Sequence, residues 1–295
     1  MRVVRKSGMS DRLLDIVVYA ALLALVVVTL YPLLYVAFAS VSEAGRLIDH
    51  KGLLWAPLGF NLEAYRSVFQ NPAILTGYRN TLFILVAGVT VNLLMTSLGA
   101  YVLSRRNVMW NKLFMMIIVL TMFVSGGLIP LYLVVKGVGL IDSLWATIIP
   151  FSINTFNLII MRTAFMAVPE SLEESAKMDG AHHFTILFRI IIPLSMPVIA
   201  VMILYYAVEK WNGWFYASIF IQDRNLFPLQ LTLREILIAN STDSMVQGSD
   251  AGDRFQLGET IKYATIMVAT IPILCVYPFL QKYFVKGVMV GALKG

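Results

Sequence analysis

Six long apolar segments dominate the sequence, and they constrain the fold more than any other feature. Each is long enough to cross a bilayer as a helix, which takes about 20 residues. Backbone N–H and C=O groups must be paired inside the hydrocarbon, so helices are expected here. The sequence therefore predicts an all-α integral membrane protein with six transmembrane helices, placed near residues 13–39, 81–103, 113–135, 144–165, 194–220 and 260–285.

Composition supports this class. Hydrophobic residues make up 59% of the chain and charged residues 14%, far from the mixture of a soluble globular domain. The net charge of +6 is modest, and the basic residues lie near the ends of the apolar segments. We interpret them as topology signals that face anionic lipid head groups, and we expect no nucleic-acid partner.

The first apolar segment needs a separate test, because a basic stretch precedes it as in a secretory signal. Residues 13–39 are much longer than the roughly 7–15 apolar residues of a signal peptide. We therefore predict an uncleaved first span that follows a cytoplasmic segment, residues 1–12.

Basic residues in the short connections predict the orientation of the six-helix domain, residues 13–285. They are Arg2, Arg5, Lys6, Arg12, Arg105, Arg106, Lys112, Lys282, Lys286 and Lys294. With the N-terminus inside, residues 41–80 and 222–259 form outer loops, whereas residues 167–193 and the tail 286–295 are cytoplasmic. Both termini are then cytoplasmic.

The segment 167–193 is polar and separates the fourth and fifth spans. Ser171 and Glu174 fit the S-x-x-E capping box, and Pro169 just ahead favours a helix start. Gly180 supplies the backbone freedom that ends this helix before a second one begins. The pattern predicts a helix-turn-helix at the membrane surface.

This segment resembles the cytoplasmic coupling loop of ABC importer permeases. The signature of that loop reads EAA, three residues, Gly, nine residues, then I-x-L-P. The matching residues here are Glu174, Ala176, Gly180, Ile190 and Pro193, whereas Ser175 and Ile192 replace an Ala and a Leu. The predicted cytoplasmic position agrees with this resemblance, because the partner of such a loop is a cytoplasmic ATPase.

The resemblance covers essentially the whole chain and implies a type I ABC importer-like fold. It is strongest for carbohydrate permeases similar to the second permease of the maltose transporter, in the branch that imports oligosaccharides from polysaccharides. It implies a bacterial cell membrane location, a homologous second permease, two ABC ATPases that hold ATP and Mg, and an extracellular or periplasmic binding protein. The residues implied in ATPase coupling are Glu174, Ser175, Ala176, Asp179, Gly180 and Pro193.

An aromatic and polar cluster occupies the fifth predicted span. Its candidate substrate-pathway residues are Tyr206, Glu209, Trp211, Asn212, Trp214 and Tyr216. Aromatic faces and amide or hydroxyl groups suit a sugar. An outer aromatic belt, with Glu209 and Lys210 reaching toward water, explains the same residues. The Trp-Asn pair resembles what carbohydrate permeases carry here and favours the pathway.

Basic residues on the predicted outer side leave two interpretations of the substrate open. They are Arg79, Lys136, Lys210, Arg224 and Arg234. They would favour an acidic oligosaccharide such as a uronate, and topology anchoring explains them equally well.

The Gly-rich tail also resembles that of maltose-type permeases, in which it reaches toward the ATPases. Here that contact would involve Lys286, Gly291 and Lys294. A frayed basic end lying against lipid is the alternative.

The sequence offers no catalytic or metal site. It contains no P-loop, so ATP and Mg are expected on partner subunits and no cofactor on this chain. The adjacent His182 and His183 diverge on a helix, and Cys275 is the only cysteine. An ion-coupled secondary transporter is the alternative function, with Glu209 as the lone candidate acid. A membrane scaffold or sensor without transport is a third.

Overall fold

The computed structural model describes residues 9–238 and 258–275, and these are helical with no strand among them. The first helices are α1 (Met9–Ser40), α2 (Ala44–Asp49), α3 (Glu63–Gln70), α4 (Pro72–Ser104), α5 (Asn111–Leu120), α6 (Leu128–Gly137) and α7 (Thr155–Met166). They are followed by α8 (Glu170–Met178), α9 (His183–Ile186), α10 (Ile192–Leu194), α11 (Met196–Asn212), α12 (Phe215–Phe220), α13 (Leu229–Ile238) and α14 (258–275). Short 3-10 turns lie at Leu144–Thr147, Ile149–Phe151 and Arg224–Leu226, and a π-helical turn at Leu187–Ile191 joins α9 to α10.

Within the described residues, two helices are long and apolar enough to cross a membrane unbroken. They are α1, over Arg12–Ser40, and α4, over Pro72–Ser104. The number rises to four if each of two bent pairs is one span. Leu144–Phe151 and Thr155–Met166 meet at 50°, and His183–Leu194 and Met196–Asn212 meet at 88°.

The middle spans are not the continuous helices that the apolar runs predict. The third is interrupted between α5 and α6, where Gly127 has a φ of +84°. The fourth begins as two 3-10 turns around Pro150, and the fifth breaks at Gly213. Pro150 lacks the N–H that a helix interior needs, and Gly127 adopts a positive φ that other residues avoid, whereas Gly213 has an extended backbone with a φ of −73°. The sixth is helical from residue 258 to 275, and its predicted remainder lies outside the described residues.

The chain divides into two compact units, Met1–Gln70 with Ala239–Val268 and Asn71–Ile238 with Ala269–Gly295. In the first unit, α1 exposes apolar side chains along most of its length and buries only its C-terminal end. Ala39 packs there with Leu47 and Leu54. The Tyr31 hydroxyl accepts a 3.0 Å hydrogen bond from the Leu54 amide, which fixes the loop that follows α2.

The second unit is built around α4, which packs against α7, α11 and α13. Its core contains fully buried Met161, Phe165, Met202 and Tyr206. Asn71 begins α4 by accepting a hydrogen bond from the Ala73 amide at 2.9 Å, with Pro72 in the first turn. α4 thus connects three other helices of the unit.

A stripe of buried polar side chains runs along α4: Asn80, Thr81, Asn92 and Thr96, named here the α4 polar stripe. Three members bond the backbone of a neighbouring element near a helix end, and Thr96 bonds a side chain of α11. The Asn80 amide donates to the carbonyls of Asn225 at 2.8 Å and Phe227 at 3.1 Å. The Thr81 hydroxyl accepts from the Leu229 amide at 2.8 Å, at the start of α13. These bonds pair backbone groups outside the regular helices with side chains of α4.

The other two members of the stripe serve the broken fourth span. The Asn92 amide donates to the Phe151 carbonyl at 2.7 Å. Thr96 shares a 2.7 Å hydrogen bond with the hydroxyl of Tyr206, and that hydroxyl accepts from the Asn154 amide at 3.4 Å. The break between Phe151 and Thr155 is therefore held by side chains from α4 and α11.

The link between α6 and the fourth span is fixed by Asp142, which has a φ of +61°. Its carboxylate accepts hydrogen bonds from the amides of Gln222 at 2.9 Å and Asp223 at 2.8 Å. These backbone bonds hold the pKa of Asp142 below its ordinary value. The contact ties this link to the segment that follows α12.

Candidate coupling site and aromatic segment

α8 is a polar helix with a glycine-dependent end. It begins after Pro169 and ends at Met178. The Ala181 amide donates to the Ala176 carbonyl at 2.9 Å, and the Gly180 amide donates to the Lys177 carbonyl at 3.0 Å. This pair of bonds is the Schellman motif, which requires a left-handed residue after the helix, and Gly180 has a φ of +79°. The left-handed backbone at position 180 thus explains why the residue there is a glycine.

The predicted capping box is wrong. α8 starts at Glu170, so Ser171 lies within its first turn, and Pro169 occupies the capping position without a side-chain hydrogen bond. A serine caps a helix only from the last residue before it, where its hydroxyl reaches the amides of the first turn. Pro169 and the acidic residues of the first turn, Glu170 and Glu173, begin this helix instead.

Glu173 is the buried charge of α8, with 6% of its side chain exposed. Its carboxylate forms an ion pair with Arg105 and a second one, at 3.0 Å, with Lys177 one turn ahead. The hydroxyl of Tyr101 also donates to it at 3.4 Å. A buried carboxylate with this set of donors is paired and hydrogen-bonded, as a charge in a protein interior must be.

The groups around Glu173 bring four elements together. Arg105 follows α4 directly, and its guanidinium also donates to the Phe165 carbonyl of α7 at 3.3 Å. The same guanidinium lies 4.9 Å from the centre of the Tyr101 ring. The Tyr101 hydroxyl is 3.0 Å from Nδ1 of His183, at the start of α9. We name Glu173, Arg105, Tyr101 and Lys177 the Glu173 cluster; it fixes α8 to the end of α4.

Electrostatics favour the ionised form of Glu173. Burial alone raises the pKa of its carboxyl group, but the hydrogen bond from Lys177 and the positive charges of Arg105 and Lys177 outweigh that effect. The net pKa of Glu173 is below its ordinary value. The carboxylate is therefore negatively charged at neutral pH.

A charged cleft of about 190 Å³ opens beside the Glu173 cluster, between α8 and the link that follows α4. Arg106 lines it and pairs with Glu170 at 3.1 Å. Glu174 is exposed at the lining of this cleft. Elsewhere on α8, Ser175 is exposed, and so is 89% of Met178. α8 thus has one side held by buried charges and another open to a partner.

The aromatic segment of α11 and α12 is divided between buried and exposed residues. Tyr206 is fully buried and Trp211 is 7% exposed, with its indole N–H donating to the Ala269 carbonyl at 3.3 Å. Glu209, Asn212, Trp214 and Tyr216 are exposed.

Lys210 is buried although it carries a charge. Its ammonium group donates to the Thr147 carbonyl at 3.3 Å and lies 3.7 Å from the Glu209 carboxylate. Its aliphatic chain lies against Gly88 of α4, where an added Cβ would approach it to 3.2 Å. Lys210 therefore joins α11 to the broken fourth span.

Residues 93–290 match the family described as binding-protein-dependent transport system inner membrane component. The chain belongs to this family. The ABC importer permease expected from the segment 167–193 is thus confirmed, together with a location in the membrane. Proteins of this family are transport subunits.

Relatives and solved structures agree with this family. The polygalacturonan/rhamnogalacturonan transport system permease protein YtcP of Bacillus subtilis is 42% identical over 294 residues, which cover 97% of this chain and all of the relative. Protein LplC of the same organism is 41% identical, covering 91% of this chain and 90% of LplC. A chain of a bacterial ABC transporter involved in the import of the acidic polysaccharide alginate superimposes with a TM-score of 0.85. The two sequences are 32% identical, and the superposition covers 94% of this permease and 98% of the alginate transporter chain.

The structure places the residues predicted for ATPase coupling as follows. Glu174, Ser175, Asp179 and Gly180 are exposed on or just after α8, and Ala176 is half-buried against the core. Pro193 lies apart from them in α10, two residues before the 88° bend into α11. The predicted tail contacts at Lys286, Gly291 and Lys294 lie outside the described residues.

Sequence reasoning missed Glu173 and Arg105 as members of this site. Arg105 has the pattern of a topology signal, and the EAA signature points to Glu174, its first residue, instead of Glu173. A local signal existed, since Glu173 lies four residues before Lys177, a favourable spacing for an ion pair on a helix. The burial of Glu173 depends on contact with the end of α4, almost 70 residues earlier in the chain. Helical periodicity within a short polar segment does not reveal a contact with so distant a residue.

Proposed function

We propose that this permease is one of two membrane subunits of an ATP-driven importer of oligosaccharides. A second, homologous permease, named here the sister permease, would complete the pathway. Two ABC ATPases would supply energy, and an extracellular binding protein would deliver the sugar. The relatives named for polygalacturonan and rhamnogalacturonan and for alginate support an oligosaccharide cut from a polysaccharide.

The observation that carries this proposal is the two-sided construction of α8. Its exposed residues include Glu174, Ser175 and Asp179, and its buried Glu173 is paired with Arg105 at the end of α4. A helix held only by its own loop would yield when a partner pushed it. Because the Glu173 cluster fixes α8 to α4, displacement of α8 by an ATPase would displace α4 as well.

The proposed topology has six spans with both termini in the cytoplasm. The broken third, fourth and fifth segments each count as one span, since irregular backbone is tolerated in a membrane where protein or water covers it. The basic residues in the short links support this orientation. α8 then faces the cytoplasm, and ATP with its Mg is held by the ATPases, so this subunit catalyses no reaction.

Transport would follow from two states of the assembled importer. ATP binding closes the ATPases, and their movement reaches the spans through α8 and the Glu173 cluster. α4 would then move together with α7 and α11, against which it packs, and the pathway would change from inward-facing to outward-facing. Hydrolysis would reset the importer after the sugar has entered.

The exposed side chains of the fifth span are the proposed pathway lining: Glu209, Asn212, Trp214 and Tyr216. Tyr206 and Trp211 would support them from within the bundle, since both are buried. The tail, through Lys286, Gly291 and Lys294, is proposed to reach the ATPases.

Co-purification tests this function directly. The permease is expressed in its native host, extracted in a mild detergent and analysed by mass spectrometry for an ABC ATPase and a sister permease. Recovery of both is expected, together with loss of the ATPase when Glu174 and Asp179 are both changed to Lys. Glu63→Lys on α3 is the matched control, since Glu63 is also exposed but lies in the opposite, outer loop of the proposed topology.

A permease that purifies alone in every mild detergent would overturn the proposal in favour of an ion-coupled secondary transporter. Retention of the ATPase by the α8 double variant would instead overturn the coupling role of the exposed side of α8. Active importers are then tested in proteoliposomes for ATP-dependent uptake of an oligosaccharide.

A further inference from the structure

Trp214 and Arg234 form an exposed aromatic–cation pair. The guanidinium of Arg234, on α13, lies 4.6 Å from the centre of the Trp214 ring. Trp214 is 37% exposed at the break between α11 and α12, and Arg234 is exposed as well. Within residues 9–238 and 258–275, Arg234 forms no ion pair. Its charge is thus presented to solvent beside an apolar ring.

The other basic residues of the same predicted side have different surroundings. Lys210 is buried and bonded to Thr147, and Arg224 pairs with Glu235 at 3.8 Å. Arg79 and Lys136 are exposed, but among the described residues neither lies over an aromatic ring. Arg234 alone in this set combines exposure, an uncompensated charge and an aromatic neighbour.

This combination matches the chemistry of an acidic sugar. A uronate carries a carboxylate on a ring whose C–H groups form an apolar face. A tryptophan ring packs against such a face, and a guanidinium binds a carboxylate through two parallel hydrogen bonds. A neutral sugar could use the tryptophan but would leave the arginine without a partner. The pair therefore discriminates by charge.

We propose that Trp214 and Arg234 form a subsite for a uronate residue of the transported oligosaccharide, with Arg234 selecting the carboxylate. This inference rests on the proposed function, which places Trp214 on the pathway, and it adds Arg234, whose guanidinium lies over the Trp214 ring. It assigns the substrate class as acidic oligosaccharides. Asn212 and Tyr216, exposed in the same segment, supply the amide and hydroxyl groups that sugar hydroxyls require.

The test compares an acid with its uncharged counterpart. The detergent-solubilised permease–ATPase complex is locked with a non-hydrolysed ATP analogue, and no binding protein is added. Equilibrium binding is measured for a radiolabelled galacturonate trimer and for its fully methyl-esterified form, which keeps the sugar but loses the charge. The wild type is expected to prefer the acid by roughly fivefold or more, as for a partly desolvated charge-assisted contact.

Variants distinguish selection of the carboxylate by Arg234 from a role of Arg234 in packing alone. Arg234→Gln is expected to remove the preference for the acid while binding of the ester stays unchanged, whereas Arg234→Lys retains most of the preference. Trp214→Leu should weaken binding of both forms. Arg79→Gln, which removes an exposed cation elsewhere, should change neither.

Two results would overturn the subsite alone. One is equal binding of acid and ester by the wild type; the other is an equal loss of both in Arg234→Gln, which would mean that Arg234 only fastens α13 to Trp214. A wild-type complex that binds neither form, and whose proteoliposomes import no oligosaccharide, would overturn the proposed function together with the subsite.

Discussion

Glu173 and Glu174 are neighbours in the chain with opposite surroundings. Glu173 turns inward and meets Arg105 and Lys177, and Glu174 turns outward from α8. The burial of one and the exposure of the other assign them different tasks. Glu173 fastens α8 to the permease, and Glu174 is available to a partner.

Replacement of each glutamate by glutamine separates these tasks. Glu173→Gln leaves Arg105 and Lys177 with an uncharged partner, so it should lower stability by about 1–3 kcal/mol. Glu174→Gln, in solvent, should leave the melting temperature of the purified permease unchanged. Thermal unfolding checks the difference, and an equal effect of the two variants on melting would contradict the role of Glu173.

The pH dependence of stability should report the same carboxylate. The folded protein lowers the pKa of Glu173 below its ordinary value of 4.5. The stabilisation from the ion pairs is therefore fully present above that value, and it is lost as the pH falls through the lower pKa of the folded state. The difference in melting temperature between wild type and Glu173→Gln should be constant from neutral pH to about pH 5 and shrink below it. A difference that grows on acidification would contradict this assignment.

α8 depends on one backbone conformation at its end. Gly180 has a φ of +79°, and no atom lies within 4 Å of where its Cβ would be, so only the backbone opposes a side chain there. Gly180→Ala should cost about 1–2 kcal/mol of local stability, the penalty of a left-handed L-residue. Gly180→Asn should cost less, because asparagine adopts this conformation more readily.

Measurements of ATP-driven uptake and of ATPase co-purification check this order of the two variants. Gly180→Ala is expected to transport less than Gly180→Asn. Equal activity of the two variants would mean that the end of α8 is not limiting for coupling. The control is Gly137→Ala, at the end of α6, where neither a positive φ nor a close neighbour opposes a side chain.

Sequence patterns predicted the elements better than the contacts between them. The helical class, α1, α4 and the turn at Gly180 follow from apolar length and from glycine, which are local properties. The breaks near Pro150 and at Gly213 were hidden inside continuous apolar runs, because hydropathy does not register backbone angles. The Glu173 cluster joins residues that are far apart in the chain. In the sequence, an arginine near the end of a span looks the same whether it faces lipid head groups or pairs with a buried carboxylate.

At the scale of the whole molecule, the gap in the third span has to be covered. The backbone between α5 and α6, residues 121–127, is exposed, and Phe123 is 80% exposed. Non-helical backbone at membrane depth is tolerated only against protein or water. In the assembled importer this segment should therefore face the sister permease or the pathway, and not lipid.

Fluorophores attached to single cysteines test that position. In a Cys275→Ser background, a fluorophore at Ser125→Cys should escape quenching by spin-labelled lipids in the reconstituted importer. One at Val26→Cys, on the exposed apolar surface of α1, should be quenched strongly. Comparable quenching at both positions would place residues 121–127 against lipid and contradict this arrangement.

The α4 polar stripe limits which movements the permease can make. An ordinary apolar membrane helix can rotate or slide by one turn and exchange one set of equivalent contacts for another. If α4 did so, Asn92 and Thr96 would lose the Phe151 carbonyl and the Tyr206 hydroxyl, and these polar groups would be left without partners inside the bundle. We therefore expect α4 to swing with its attached segments as one rigid block during gating, with any flexing at the joints outside that block.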